Sequence, residues 1–286
     1  MTSERCHAVL SRGDHWSLVA ASFAVIWAGV LVATPPARTL APQDPPTVGQ
    51  DGKDVEWVPT PAELIDTMLT LADVTADDYL VDLGSGDGRT VIAAAKRGAH
   101  ALGVEYDAGL VALSQMRAYD AGVSDHTTFV EADLFEVDLT DATVVTMFLL
   151  PDLNLKLRPT LLGLAPGTRI VSNTWDMGDW TADETVQLDP CPGFCTALLW
   201  VVPAQIGGTW RDVNGELILT QGFQMVSGTV QRDGRNIDIT DGRLRGRHLM
   251  FRAHGSQYSG HLGAANDMVQ GTVTTDAHVV EWVASR

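Results

Sequence analysis

Val81-Asp82-Leu83-Gly84-Ser85-Gly86-Asp87-Gly88-Arg89 is the stretch that decides how this chain is read. A short apolar strand runs into three glycines, and a helix-forming stretch, Thr90-Val91-Ile92-Ala93-Ala94-Ala95, follows at once. A backbone that leaves a strand, turns sharply and opens a helix needs glycine where a Cβ would obstruct the turn or an approaching ligand. The helix N-terminus adds a positive field suited to an anionic group. The loop therefore reads as a cofactor site at the carboxyl end of a strand, with a ligand-free glycine turn as the bland alternative.

Working outward, Thr60-Pro61-Ala62-Glu63 predicts a helix start, with Thr60 as N-cap and Glu63 completing a capping box. Leu64, Met68 and Leu71 then share one apolar face. Strands are expected at 79–83, 101–105, 127–130, 143–148 and 169–173, and helices at 90–97, 108–121 and 155–164. This alternation predicts an α/β fold, a doubly wound seven-stranded Rossmann-like sheet closed by an antiparallel pair at 185–188 and 196–202.

Two carboxylates stand where a nucleoside would need them. Glu105 ends the second strand, placed to accept from ribose hydroxyls, and Asp133 follows the third, placed to receive an adenine amino group. A glycine loop alone is shared with nicotinamide enzymes. Three features point instead to S-adenosylmethionine: Asp82 two residues before the first glycine, Gly88 one residue too early for the dinucleotide spacing, and Asp133 itself.

These residues resemble class I S-adenosylmethionine-dependent methyltransferases. Val58-Pro59-Thr60-Pro61, the glycine loop, Glu131-Ala132-Asp133-Leu134-Phe135, the strand from Val144 to Pro151 and Pro166-Gly167-Thr168-Arg169-Ile170-Val171-Ser172 are similar to one group in particular. That group is the mitochondrial protein-lysine methyltransferases acting on the ATP synthase c-subunit and the adenine nucleotide translocase, and especially their bacterial relatives. The glycine loop is also similar to that of non-SET histone-lysine methyltransferases. The resemblance covers about half the chain. It implies the methyltransferase sheet, S-adenosylmethionine as donor, and a segment from Trp57 to Thr60 near the cofactor. The cofactor-binding residues expected are Asp82, Gly84, Ser85, Gly86, Asp87, Glu105, Asp133 and Leu134. The chain departs from the mitochondrial enzymes after the fifth strand, where 173–180 leaves little room for a helix, and by its added C-terminal unit.

For the acceptor, the candidates are Phe148 at the end of strand four, in the apolar run Phe148-Leu149-Leu150-Pro151, and Asn173 and Asp176 after strand five. An apolar channel disfavours the charged form of an incoming amine. Taken alone, Phe148 reads more readily as core than as an acceptor contact, whereas Asp176 reads equally as an amine-orienting group or an ordinary cap. The favoured acceptor is a protein lysine. The alternatives are a small-molecule acceptor, or a non-catalytic S-adenosylmethionine-binding module.

Carboxylates outnumber Lys and Arg by 17, and the whole excess lies before residue 205. So acidic a domain repels phosphate backbones, which argues against nucleic acid as partner. No spacing of histidines suggests a metal site. Cys191 and Cys195 bracket Pro192-Gly193-Phe194, and either a small disulfide loop or two free thiols fits.

Residues 1–33 carry an apolar run, 18–33, with no charged side chain from His15 to Ala37. It is expected to be a signal or membrane-anchoring segment, giving a membrane-anchored enzyme through a transmembrane helix, or an exported one after cleavage. Residues 34–54, with five prolines, read as a linker. A methyltransferase domain is expected over 55–203. Asn214-Gly215, Asp233-Gly234 and Asp241-Gly242 then mark hairpin turns between short alternating segments. Residues 204–286 are thus expected to form a small antiparallel barrel or sandwich of about seven or eight strands.

Overall fold

Tyr79–Leu83 (β1) is an interior strand of the first sheet, with side chains buried on both faces and pairing on both edges. The computed structural model describes Thr47 and residues 56–286, apart from Pro192, Asp233 and Ala277. β2 (His100–Glu105), β3 (Thr127–Glu131), β4 (Val144–Met147), β5 (Arg169–Asn173), β6 (Glu184–Gln187) and β7 (Thr196–Val201) complete it in the order β3-β2-β1-β4-β5-β7-β6. β7 runs antiparallel to its neighbours and the other pairings are parallel.

Strand residues alternate between two apolar layers. Leu80, Val144 and Val171 face α1 (Ala62–Leu71) and α2 (Arg89–Lys96), whereas Val81, Leu83, Val145 and Ile170 share a core with Leu157 and Leu161 of α4 (Pro151–Leu162). α3 (Ala108–Asp120) adds Val111 and Ala118 to the first layer and is capped by the Asp107 side chain, which accepts from the Leu110 amide at 2.9 Å. The expected doubly wound, seven-stranded Rossmann-like sheet is thereby formed.

Two local expectations change. Thr60 does not cap α1, which follows Pro61 with no side-chain cap. The Thr60 hydroxyl instead accepts from Asn173 Nδ2 at 3.3 Å, a partner 113 residues away. α4 begins at Pro151, four residues before the expected start, because proline is well placed in a helix's first turn. That turn carries Asn154, fully buried, whose amide donates to the carbonyls of Trp175 and Asp176.

The second sheet comprises β8 (Gly208–Asp212), β9 (Gly215–Gly222), β10 (Met225–Arg232), β11 (Arg235–Asp238), β12 (Thr240–Arg245), β13 (His248–Ala253), β14 (Ser256–Leu262), β15 (Met268–Thr275) and β16 (His278–Ser285). β16 pairs with β8, β8 with β9, and β9 with β10, so the sheet closes on itself. β11 and β12 lie end to end along β10, so the ring is an eight-stranded antiparallel barrel, not a sandwich. Asp241-Gly242 is not a hairpin turn. The register shifts there between Thr240 and Arg243 and Asp241 has φ 52°, the signature of a bulge inside β12. Phe251, Tyr258 and Trp282 pack inside the barrel with ring centroids 4.4–5.9 Å apart. The interior is side-chain core.

The described residues belong to one compact unit. Val201 lies opposite Arg169, the first residue of β5, so the chain leaves the sheet at the amino end of the parallel strands. There Arg243 pairs with Asp183 at 2.6 Å, Arg245 with Glu184, and Phe223 stacks on Trp180 at 6.0 Å. The barrel therefore braces the end of the sheet opposite the glycine loop.

The expected anchor (1–33) lies outside the described residues, as does the proline-rich linker (34–54) apart from Thr47. The expectation of a transmembrane helix and a membrane-anchored enzyme is corrected. Among the described residues no helix is long and apolar enough to cross a membrane. The longest, α3, has 13 residues, where a span needs about 20.

Candidate active site

The carboxyl ends of β1, β2 and β4 open onto a cavity of about 750 Å³. That size suits a nucleoside-bearing ligand with room for part of an acceptor. All eight expected cofactor residues, Asp82, Gly84, Ser85, Gly86, Asp87, Glu105, Asp133 and Leu134, line it. Gly84 and Gly86 have φ of 73° and 54°, which side-chain-bearing residues rarely adopt. A Cβ on Gly86 would lie 2.5 Å from Trp57 Nε1, so the indole occupies the space above the bare glycine.

Glu105 is held by three backbone amides. Its Oε2 accepts from Gly86 at 2.8 Å, and Oε1 from Tyr106 at 2.8 Å and Asp107 at 3.0 Å. A carboxylate has about four lone-pair sites, so one remains for a ligand hydroxyl. Asp133 Oδ1 accepts from the Phe135 amide at 3.0 Å, which orients its carboxylate at the cavity wall. The Ser85 hydroxyl is buried with no hydrogen-bond partner among the described residues. A bare glycine cradle, an oriented carboxylate pair and an unsatisfied hydroxyl form a donor and acceptor set that fits S-adenosylmethionine.

The other two acids behave differently. Burial pushes Asp82 up to about 7, aided by the charges of Glu105 and Asp87 and opposed by the hydroxyls of Thr146 and Thr90. Burial alone would raise Asp87 too, but hydrogen bonds and charge from Arg89 and Arg117 outweigh it and hold its carboxyl below the usual range. Asp87 pairs with Arg89 at 2.6 Å and with Arg117. Arg89 also donates to the Thr60 carbonyl at 3.0 Å, fastening the segment that carries Trp57.

Of the acceptor candidates, Phe148 lines the cavity and Asn173 and Asp176 do not. Asn173 is fully buried against Thr60 and Thr174. Asp176 is exposed and its carboxylate accepts from the Gly178 amide at 3.0 Å, a turn cap. Sequence reading missed Phe194. It lines the cavity beside Trp175 and packs against Phe148 at 5.3 Å and Trp175 at 6.4 Å between ring centroids. Its only sequence signal was its place inside the Cys-x3-Cys bracket. Among the described residues no cluster of His, Cys, Asp or Glu is arranged to hold a metal.

Residues 82–184 match the model of the ANTKMT methyltransferase domain family. A protein-lysine N-methyltransferase from Saccharolobus islandicus is 38% identical over 151 residues, which is 52% of this chain and 94% of that protein. The chain belongs to the S-adenosylmethionine-dependent methyltransferases. The methyltransferase is also 41% identical over 107 residues to the ATP synthase C-subunit lysine N-methyltransferase of Mus musculus, covering 37% of this chain and 43% of the mouse enzyme. A structure described as an RNA methyltransferase from Salinibacter ruber, complexed with S-adenosyl-L-homocysteine, superposes with a TM-score of 0.50 at 49% identity. It covers 52% of this chain and 96% of that one. S-adenosylmethionine is thus the methyltransferase's cofactor.

Proposed function

We propose that this methyltransferase transfers a methyl group to the side-chain amine of a protein lysine. The observation that carries the reading is the aromatic wall made by Phe148, Trp175 and Phe194 on the cavity that also holds the glycine loop. Ring faces attract an alkylammonium, and an apolar wall favours its loss of a proton before transfer. S-adenosylmethionine supplies an electrophilic methyl on a sulfonium. The chain's own residues need only bind, align and exclude water. Asp82, Gly84, Ser85, Gly86, Asp87, Glu105, Asp133 and Leu134 are proposed to hold the cofactor, and Phe148 to border the acceptor. The catalytic unit is taken as 55–203 and the barrel as 204–286.

The lysine methyltransferase names of the archaeal and mouse relatives support this acceptor. The Salinibacter structure's description supports RNA instead, and an aromatic wall can also stack a base. The carboxylate excess of 17, confined to the residues before 205, argues against a phosphate backbone. A pure binding module fits less well, because the barrel braces the far end of the sheet and leaves the aromatic wall clear.

The test is transfer of labelled methyl from S-adenosylmethionine into a cell extract. The reading expects protease-sensitive, nuclease-resistant label recovered as N-methyllysine. Label removed by nuclease, or recovered in small molecules, overturns it.

A further inference from the structure

Residues 188–195 connect β6 to β7, and the Cys191–Cys195 disulfide closes the 191–195 part of that connection into a ring. The Leu188 amide donates to the Cys195 carbonyl at 3.0 Å, continuing the β6–β7 ladder to the base of that ring. Cys195 is buried and Cys191 is exposed. Phe194 lies between them at φ 51°, a conformation rarely adopted by a bulky residue and held only where the surroundings impose it. From there its ring reaches Phe148 and Trp175. These residues come from three loops at one end of the sheet. Phe148 and Trp175 are each tied to regular structure, by β4 and by Asn154 of α4. Phe194, 43% exposed, is held on one side by the β6–β7 ladder that ends at Cys195 and on the other by the disulfide that ties Cys191 back to it.

We propose that the Cys191–Cys195 bridge is a redox-responsive clamp that positions Phe194 as the third wall of the acceptor channel. This rests on the lysine-acceptor reading above and adds to it a specificity-determining residue and the element that positions it. With the bridge closed, the ring stays against Phe148 and narrows the channel around an alkyl chain. With the bridge open, the loop is free to leave the left-handed conformation at Phe194, and the wall opens on one side. A dithiol accomplishes the opening. Its thiolate attacks the Cys191 sulfur, and the Cys195 sulfur leaves with the electron pair and takes up a proton. The second thiol then closes on the mixed disulfide, releasing Cys191 as a thiol and the dithiol as a cyclic disulfide. The cofactor side of the cavity, built on β1 and β2, is not part of the clamp and keeps its affinity.

The test is calorimetry on the full chain with two probes. One is S-adenosylhomocysteine. The other is a bisubstrate analogue in which a nitrogen replaces the sulfur and carries an aminoalkyl arm of lysine length. The oxidised wild type is expected to bind the analogue more tightly than S-adenosylhomocysteine. Phe194→Ala, the paired change Cys191→Ser with Cys195→Ser, and the dithiol-reduced wild type should each lose about tenfold in analogue affinity. Their affinity for S-adenosylhomocysteine, which also reports a folded site, should stay within about twofold. Dithiol should change nothing further in Phe194→Ala. Equal analogue affinity in oxidised and reduced wild type overturns the clamp, as does a full dithiol effect in Phe194→Ala. If S-adenosylhomocysteine binds but the arm adds no affinity, the lysine-acceptor reading fails first and the clamp with it.

Discussion

Glu105 Oε2 accepts a hydrogen bond from the Gly86 amide at 2.8 Å, so the carboxylate ending β2 is fastened to the glycine loop following β1. Its other oxygen takes the amides of Tyr106 and Asp107. Three donors converge on one side chain, which makes it an acceptor-only position. Glu105→Gln should therefore fail as a conservative replacement, because its NH2 meets a backbone N–H. The expected loss of S-adenosylhomocysteine affinity is about tenfold to a hundredfold, given ~1.5–3 kcal/mol for a hydrogen bond to a charged group. Calorimetry checks it, and wild-type affinity in Glu105→Gln would remove Glu105 from the site.

Gly86→Ala should damage cofactor binding by two routes, a Cβ within 2.5 Å of Trp57 Nε1 and a φ of 54° that alanine resists. Trp57→Ala on that background removes only the first. Partial recovery is expected in the double variant. Complete recovery would show that the backbone angle does not matter.

Asp82 and Asp87 should give opposite pH dependences. Asp82 is raised to about 7, so the folded state holds a proton that the unfolded chain releases at ordinary carboxyl pH. Its contribution to stability is full below that ordinary range and is lost as pH rises toward about 7, at on the order of 1 kcal/mol per pH unit. Asp87 is lowered, so its contribution is present above the ordinary range and lost as pH falls through its lowered value. Asp82→Asn keeps an acceptor for the Thr146 hydroxyl. It should be more stable than wild type at about pH 8, with the gain shrinking by about pH 5. Denaturant titrations at both pH values decide this, and a pH-independent difference would contradict the raised Asp82.

The barrel's attachment rests on Asp183, whose side chain is 1% exposed, pairs with Arg243 and accepts from the Val201 amide at 2.8 Å. Asp183→Ala should cost about 2 kcal/mol, since it strands a buried amide and a partly exposed guanidinium. Thermal unfolding measures the loss. S-adenosylhomocysteine affinity should be unchanged, because the barrel sits at the other end of the sheet. A parallel fall in both would mean that the barrel shapes the cavity.

Much of this was legible in the chain itself. The strand-loop-helix around Gly84, the carboxylates at Glu105 and Asp133, and the turn at Asn214-Gly215 are short-range patterns. Each is set by backbone preferences or side-chain periodicity within a few residues, so composition and spacing suffice to read it. Asp241-Gly242 shows the limit, since the same dipeptide serves as a turn or a bulge according to which strand lies opposite.

By itself, then, the sequence determined the alternating α/β order, the cofactor loop and the β-rich C-terminal unit, because local sterics and the periods of helix and strand are written residue by residue. Tertiary structure alone decided four things: that the C-terminal strands close into a barrel, that this barrel lies at the amino end of the sheet, that Thr60 faces Asn173 rather than capping α1, and that Phe194 joins Phe148 and Trp175. These depend on contacts between residues tens of positions apart. Which distant side chains meet is settled only when the packing of the whole chain selects one register and one set of buried partners.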